Sequence, residues 1–146
     1  MIIFKNSGDI FKSQAQTLVA PVNTYGVMGN GLALAFKNRY PGLDAAYKKA
    51  CRYGVFKQKG YSLFRFSETR NILCFPTKKD WRNPSELIWI DISLEAIVRD
   101  FEECGITSLA VPALGCGKGQ LEWEHVLPLI QHHLDPLPID VEIYTP

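Results

Sequence analysis

The chain lacks the marks of several functional classes. Its four cysteines, Cys51, Cys74, Cys104 and Cys116, form no Cys-x-x-Cys pair and no zinc-ligand spacing. That argues against a structural metal or a disulfide framework and suits a reducing compartment. His125, His132 and His133 all fall in one late segment without a carboxylate at metal spacing, so neither a metal nor a cofactor is expected. No Gly-x-Ser-x-Gly elbow is present for a serine hydrolase. No apolar run reaches membrane-spanning length, and Met1-Ile2-Ile3-Phe4-Lys5 has no signal-peptide layout. The expectation is a cytoplasmic protein with no membrane partner. Charge of either sign is not in excess: 16 Lys and Arg face 15 Asp and Glu, a net +1. A strong nonspecific nucleic-acid binder carries a clearer basic surplus. Local basic patches remain, at Lys48, Lys49 and Arg52 and again at Lys78, Lys79 and Arg82.

What is present is a chain of 146 residues, 47% hydrophobic and 21% charged, the size and composition of one globular domain over 1–146. Short strands are expected at 2–5, 17–22, 61–66, 71–75, 108–111 and 141–144. Helices are expected at 32–39, 43–53, 85–104 and 124–134, the last weakened or kinked by Pro128. Asn6-Ser7-Gly8-Asp9 is turn chemistry. Residues 76–84, bounded by Pro76 and Pro84, read as a polar loop. Strands and helices mostly alternate, which argues for a sheet covered by helices on both faces, with ligands at the carboxyl ends of its strands.

Two glycine loops stand on that rim. The stretch 110–123 reads Ala-Val-Pro-Ala-Leu-Gly-Cys-Gly-Lys-Gly-Gln-Leu-Glu-Trp, and an earlier loop reads Gly26-Val27-Met28-Gly29-Asn30-Gly31. Each follows an apolar run and precedes a helix. Such a loop aims main-chain N–H groups outward, where they cradle phosphate. Neither is a P-loop or a dinucleotide fingerprint, because Gly117-Lys118 is followed by Gly119 and the first loop has the order Gly-x-x-Gly-x-Gly. The pair suggests a clamp on a diphosphate; each alone is also compatible with a tight turn.

Side chains beside these loops carry the candidate chemistry. Asn23 suits either a ribose hydroxyl or a turn. Asp9 suits either an adenine amine or a helix cap. Lys78 is either a solvated lysine or an amine whose lowered pKa, in the field of Lys79 and Arg82, lets it attack a sugar aldehyde. Trp81 either stacks on a base or shields the core. Cys116, between two glycines and with no histidine placed to activate it, is read as shaping the loop rather than as a nucleophile.

Taken in order, Gly8-Asp9-Ile10, Pro21-Val22-Asn23, Gly26-Val27-Met28-Gly29-Asn30-Gly31-Leu32-Ala33 and Pro112-Ala113-Leu114-Gly115-Cys116-Gly117 resemble a macrodomain over essentially the whole chain. Phe-Pro-Thr-Lys at 75–78, Trp81-Arg82 and the run from Gly115-Cys116-Gly117 to Leu121-Glu122-Trp123 are similar to one branch of it. That branch holds the DarG antitoxin macrodomains and the terminal ADP-ribose protein glycohydrolases. The resemblance implies a three-layer α/β/α fold around a mixed sheet of about six strands, and a site for ADP-ribose. It implies that Asp9 meets the adenine amine, that the Ile10 backbone helps hold the ring and that Asn23 contacts the distal ribose. Val27, Met28, Gly29, Asn30, Gly31 and Thr77, with Pro112, Ala113, Leu114, Gly115, Cys116, Gly117, Lys118 and Gly119, would flank the diphosphate and distal ribose. Lys78 would be catalytic, acting at the anomeric carbon or positioning the scissile bond.

Two departures sharpen the expectation. Another macrodomain branch carries a second asparagine three residues after the first, serving a water-based hydrolysis; here Asn23 is followed by Thr24, Tyr25 and Gly26. Protein-directed glycohydrolases of the closer branch carry an aspartate where this chain has Gly119, as DarG-like proteins do. The expected activity is therefore an ADP-ribosyl glycohydrolase acting on a modified DNA base. A modified protein remains a rival substrate. Rival functions are an ADP-ribose-binding module without turnover, an ADP-ribose 1″-phosphate phosphatase, and a nucleic-acid-binding domain using Trp81 and the basic loop. Expected partners are ADP-ribosylated DNA or protein, a transient single-stranded DNA contact and a cognate ADP-ribosyltransferase toxin.

Overall fold

The computed structural model describes residues 1–6, 8–80 and 82–146, so Trp81, and Ser7 of the first turn, lie outside the described residues. Six strands form one sheet: β1 (Ile2–Lys5), β2 (Thr17–Asn23), β3 (Ser62–Arg65), β4 (Asn71–Lys78), β5 (Ser108–Val111) and β6 (Asp140–Tyr144), in the order β1-β6-β5-β2-β4-β3. Every pairing is parallel except β3 with β4. Among the described residues five α-helices cover it: α1 (Gly31–Arg39), α2 (Leu43–Arg52), α3 (Val55–Lys59), α4 (Leu87–Asp100) and α5 (Trp123–Leu134). The expected mixed three-layer α/β/α arrangement is the one observed.

Alternation along fully buried strands builds two cores from one sheet. Val19, Leu73, Phe75, Leu109, Val111, Val141 and Ile143 face Ile90, Leu94 and Ile97 of α4 and Val126, Ile130 and Leu134 of α5. Leu18, Ala20, Val22, Ile72, Cys74 and Ala110 face Phe36 of α1, Tyr47 of α2 and Phe56 of α3.

Some boundaries differ from the sequence reading. The helix expected over 43–53 is followed by a separate short one, α3, with Gly54 at φ +69° between them. The polar loop expected over 76–84 begins later, because β4 continues through Pro76 and Thr77 to Lys78. Pairing with β3 ends at Cys74, so β2 alone flanks Pro76, and a residue without an N–H is tolerated at such an edge. Helix α4 is shorter than 85–104: Ser85 donates its N–H to the Gly119 carbonyl (2.9 Å) instead of starting the helix, and Gly105 at φ +68° follows the last turn. Helix α5 runs continuously through Pro128.

Leu94 is fully buried on α4, the helix that packs on both α5 and β4. Leu94→Ala is expected to cost about 2–5 kcal/mol, read as a lower urea midpoint at unchanged slope.

Candidate functional site

Strands β2 and β5 are neighbours but pair only at Thr17–Leu109 and Leu18–Ala110. Beyond that they part. The chain leaving β2 enters α1 on one face of the sheet; the chain leaving β5 enters α5 on the other. Strands that feed opposite faces leave a crevice at their carboxyl ends. A cleft of about 650 Å³ opens there, a size suited to a nucleotide-like ligand.

Of the expected site residues, Asn23, Val27, Gly29, Asn30, Gly31, Thr77 and Lys78 line this cleft, as do Pro112, Ala113, Gly115, Cys116, Gly117, Lys118 and Gly119. Four do not. Met28 and Leu114 are buried beneath the loops. Asp9 is exposed and caps the single helical turn Ile10–Lys12, its Oδ1 accepting the Phe11 N–H at 2.9 Å. Ile10 is buried. Asp9 nevertheless stands near the carboxyl end of β6: the Tyr144 phenol is pushed up first by burial, then by Glu142, with a smaller contribution from Asp9. Sequence reasoning missed Pro21, Val22, Leu32, Ala33, Ser85 and Pro146 as cleft residues. The first four adjoin recognised motifs. Ser85 and Pro146 carried no local signal, since the tie to Gly119 and the parallel run of β6 beside β5 bring them in.

The first loop is built around Asn23. Its Oδ1 accepts the N–H groups of Tyr25 (3.1 Å), Gly26 (3.1 Å) and Val27 (3.3 Å), and its Nδ2 donates to the Val27 carbonyl (2.7 Å). The Tyr47 hydroxyl donates to Asn23 from α2 at 2.7 Å. Burial, then the neighbouring Cys51, raises the Tyr47 phenol, so it remains a donor. Asn23 thus shapes the turn, and one amide N–H remains for a ligand. Asn30 makes no side-chain cap on α1, and Gly31, Leu32 and Ala33 at that helix's start line the cleft. Their N–H groups are suited to an anion.

The second loop is held from beneath. Cys116 N–H donates to Ala113 (3.2 Å), Leu121 N–H to Gly115 (2.8 Å) and Gln120 N–H to Gly117 (3.1 Å). Among the described residues, the N–H groups of Gly117, Lys118 and Gly119 meet no protein acceptor. Gly119 admits no side chain: a Cβ there would lie 2.5 Å from the Gly115 oxygen and overlap Ser85 Oγ. An aspartate at this place would require the loop to be rebuilt. Cys116, pushed up to about 11 by burial and then by Glu122, is a thiol rather than a thiolate nucleophile.

Lys78 stands at the end of β4, between the two loops. Its amine is pushed below the ordinary lysine value, first by burial and then by Lys118. The expected source of that field is corrected here. Lys79 Nζ lies 5.4 Å from the ring centre of Trp89. Arg82 pairs with Asp80 through hydrogen bonds of 2.9 and 2.6 Å. The cation acting on Lys78 comes from the second glycine loop. Among the described residues, no three His, Cys, Asp or Glu gather as a metal site, and no helix is long and apolar enough to cross a membrane.

The Macro domain family model matches residues 19–130. The chain belongs to the macro domain family. This macro domain is 42% identical, over 99% of its own length and 42% of the relative's, to the "DNA ADP-ribosyl glycohydrolase" of Mycobacterium tuberculosis. It superposes on the macrodomain of Mycobacterium tuberculosis DarG with a TM-score of 0.93 at 41% identity, covering 100% of this chain and 98% of that one. It also matches Thermosipho africanus DarTG in complex with ADP-ribose, with a TM-score of 0.90 at 40% identity, over 98% of this chain and 41% of that one. The macro domain therefore spans about two fifths of the length of these full-length relatives.

Tyr47→Phe removes the donor that fixes Asn23. It is expected to cost about 1–2 kcal/mol of stability and to weaken ADP-ribose binding, measured by calorimetry on the folded variant. Gly119→Ala is expected to lower both Tm and ADP-ribose affinity. Gly117→Ala, whose Cβ meets nothing within 4 Å, should leave Tm unchanged.

Proposed function

We propose that this chain is an ADP-ribosyl glycohydrolase that releases ADP-ribose from a modified DNA base. The observation that carries the reading is a lysine with a lowered pKa lining a cleft beside loop N–H groups that meet no protein acceptor among the described residues. The N–H groups of 117–119 and of the α1 start grip the diphosphate. Asn23, Thr77 and the flanking glycines place the distal ribose, and Asp9 with the Ile10 backbone receives the adenine beyond the cleft wall. Two further observations support the reading. The relatives at 42% identity carry the name DNA ADP-ribosyl glycohydrolase, and the Thermosipho africanus relative was solved with ADP-ribose.

In the step proposed, the neutral Lys78 amine attacks C1″ of the distal ribose. The C1″–N bond to the base breaks, and the base leaves with the electron pair and takes up a proton. The glycosylamine opens to an imine as the ring oxygen gains the amine's proton. Water then adds at C1″ and expels the lysine, giving free ADP-ribose. Burial and Lys118 favour this role because each raises the neutral fraction of Lys78 at a given pH.

The Thermosipho africanus relative is named a fusion of a DNA ADP-ribosyl transferase with a DNA ADP-ribosyl glycohydrolase. By that analogy a cognate ADP-ribosyltransferase toxin supplies the mark, in the cytoplasm, and residues 1–146 act as one unit in removing it.

Lys78→Ala is expected to slow release from ADP-ribosylated DNA by about a hundredfold or more, with ADP-ribose affinity nearly intact. A variant that keeps full activity would remove the mechanism. Borohydride should trap ADP-ribose on Lys78 of the wild-type protein. Single-turnover release should rise with pH through an inflexion below the ordinary lysine value. Lys118→Ala should move that inflexion upward, because losing a like charge stabilises the ammonium; a rate that falls with pH overturns the nucleophile. Binding without release from DNA would leave a binding module, and phosphate release from ADP-ribose 1″-phosphate alone a phosphatase.

A further inference from the structure

A second concavity, of about 780 Å³, opens on the far side of the wall that bounds the ADP-ribose cleft. The wall is the end of the β2–β4 ladder, where the Thr24 N–H is shared between the carbonyls of Lys78 and Lys79, each at 3.1 Å. Lys78 lines the first cleft, whereas Lys79, with Thr24 and Tyr25, lines the second. The reacting centre and the second groove are thus one residue apart.

The groove combines rings with cations. Tyr25 is 61% exposed, and the Arg82 guanidinium lies 5.7 Å from its ring centre. Trp89 of α4 is half-buried, with Lys79 over its ring. Ile88 and Ile92 of the same helix are exposed, and Ile92 lines the groove. Lys57 of α3 also lines the groove. The acid in the groove, Asp80, is held ionised, down to about 2, by hydrogen bonds from Arg82 that also offset its charge. Behind Lys57 the α2–α3 segment carries Lys48, Lys49, Arg52, Lys57 and Lys59 against one acid, Asp44. Of the charged residues that line the groove, the cations Lys57 and Lys79 outnumber the acid Asp80, whose charge Arg82 offsets, in a chain whose net charge is only +1. An apolar aromatic floor with a basic rim fits a polyanion that also offers flat faces, which describes unpaired nucleotides. A duplex keeps its base faces stacked within itself and has none to offer.

We infer that this groove seats the single strand flanking the modified nucleotide, with unpaired bases against Tyr25 and Trp89 and phosphates against Lys57 and Lys79. The inference rests on the glycohydrolase reading for what lies in the first cleft, and on the second groove's own chemistry for the strand.

The test compares wild type with Tyr25→Ala, Lys57→Glu and the double variant. One arm follows binding of an unmodified, fluorescein-labelled single-stranded oligonucleotide by anisotropy at low and moderate salt. The other measures kcat/KM on an ADP-ribosylated oligonucleotide and on an ADP-ribosylated mononucleoside. Each substitution is expected to weaken oligonucleotide binding by about fivefold or more and to lower kcat/KM on the oligonucleotide to match, leaving the mononucleoside unaffected. Oligonucleotide binding equal in wild type and variants overturns the proposal. So does an equal loss on both substrates, or displacement of the oligonucleotide by polyglutamate regardless of Tyr25. If wild type releases ADP-ribose from neither substrate, the glycohydrolase reading fails, and the binding arm alone decides whether the groove holds a strand.

Discussion

Strands β2 and β5 share a ladder for two residues and then separate, each carrying its chain to a different face of the sheet. A continuous sheet cannot accept a ligand between two of its strands, because the backbone groups there are already paired. Here the ladder between them ends at Leu18 and Ala110, and the loops that follow both strands line the gap. Pro21, which lacks an N–H, lies in β2 beyond the last residue paired with β5, where its missing donor is tolerated. The cleft, the two glycine loops and the position of Lys78 between them all follow from that separation.

A cleft rimmed by main-chain N–H groups lets a nearly neutral protein attract an anion. The positive ends of N–H dipoles supply the attraction locally, without a basic surplus. The same economy operates at Lys78. Its amine is lowered first by burial and then by Lys118 of the second glycine loop, so that loop both lines the cleft and tunes the lysine. Gly119 belongs to this device: its missing side chain lets Ser85 close against the loop, and the N–H of Ser85 ties the chain that follows β4 to it.

Asn23 shows how one side chain can have a structural role inside a functional motif. Four of its hydrogen bonds hold the 25–27 turn, and a fifth anchors it to Tyr47 on α2. The turn is also the partition between the first cleft and the second groove, so the same asparagine holds the wall common to both.

Much of this was legible in the order of residues. Runs at 17–22 and 71–75 that are apolar after their first residue pointed to strands buried on both faces, and the alternation of strands with helices pointed to layers on each side. Glycines after two of those strands marked the loops. What local order could not reveal came from contacts between distant segments. Nothing near Pro76 indicates that β4 runs on to Lys78, since that depends on β2 lying alongside. Ser85 enters the cleft only through its bond to Gly119, and Tyr47 reaches Asn23 from 24 residues away. Lys79 and Arg82 lie close to Lys78 in the chain, yet the charge acting on it is Lys118, because Lys79 turns to the Trp89 ring and Arg82 pairs with Asp80. Sequence by itself determined the layers and the loops, whose causes are periodicity and backbone freedom, both local. Tertiary structure alone decided which charge faces the Lys78 amine and which groove lies beside it, because Coulomb forces and burial act through space rather than along the chain.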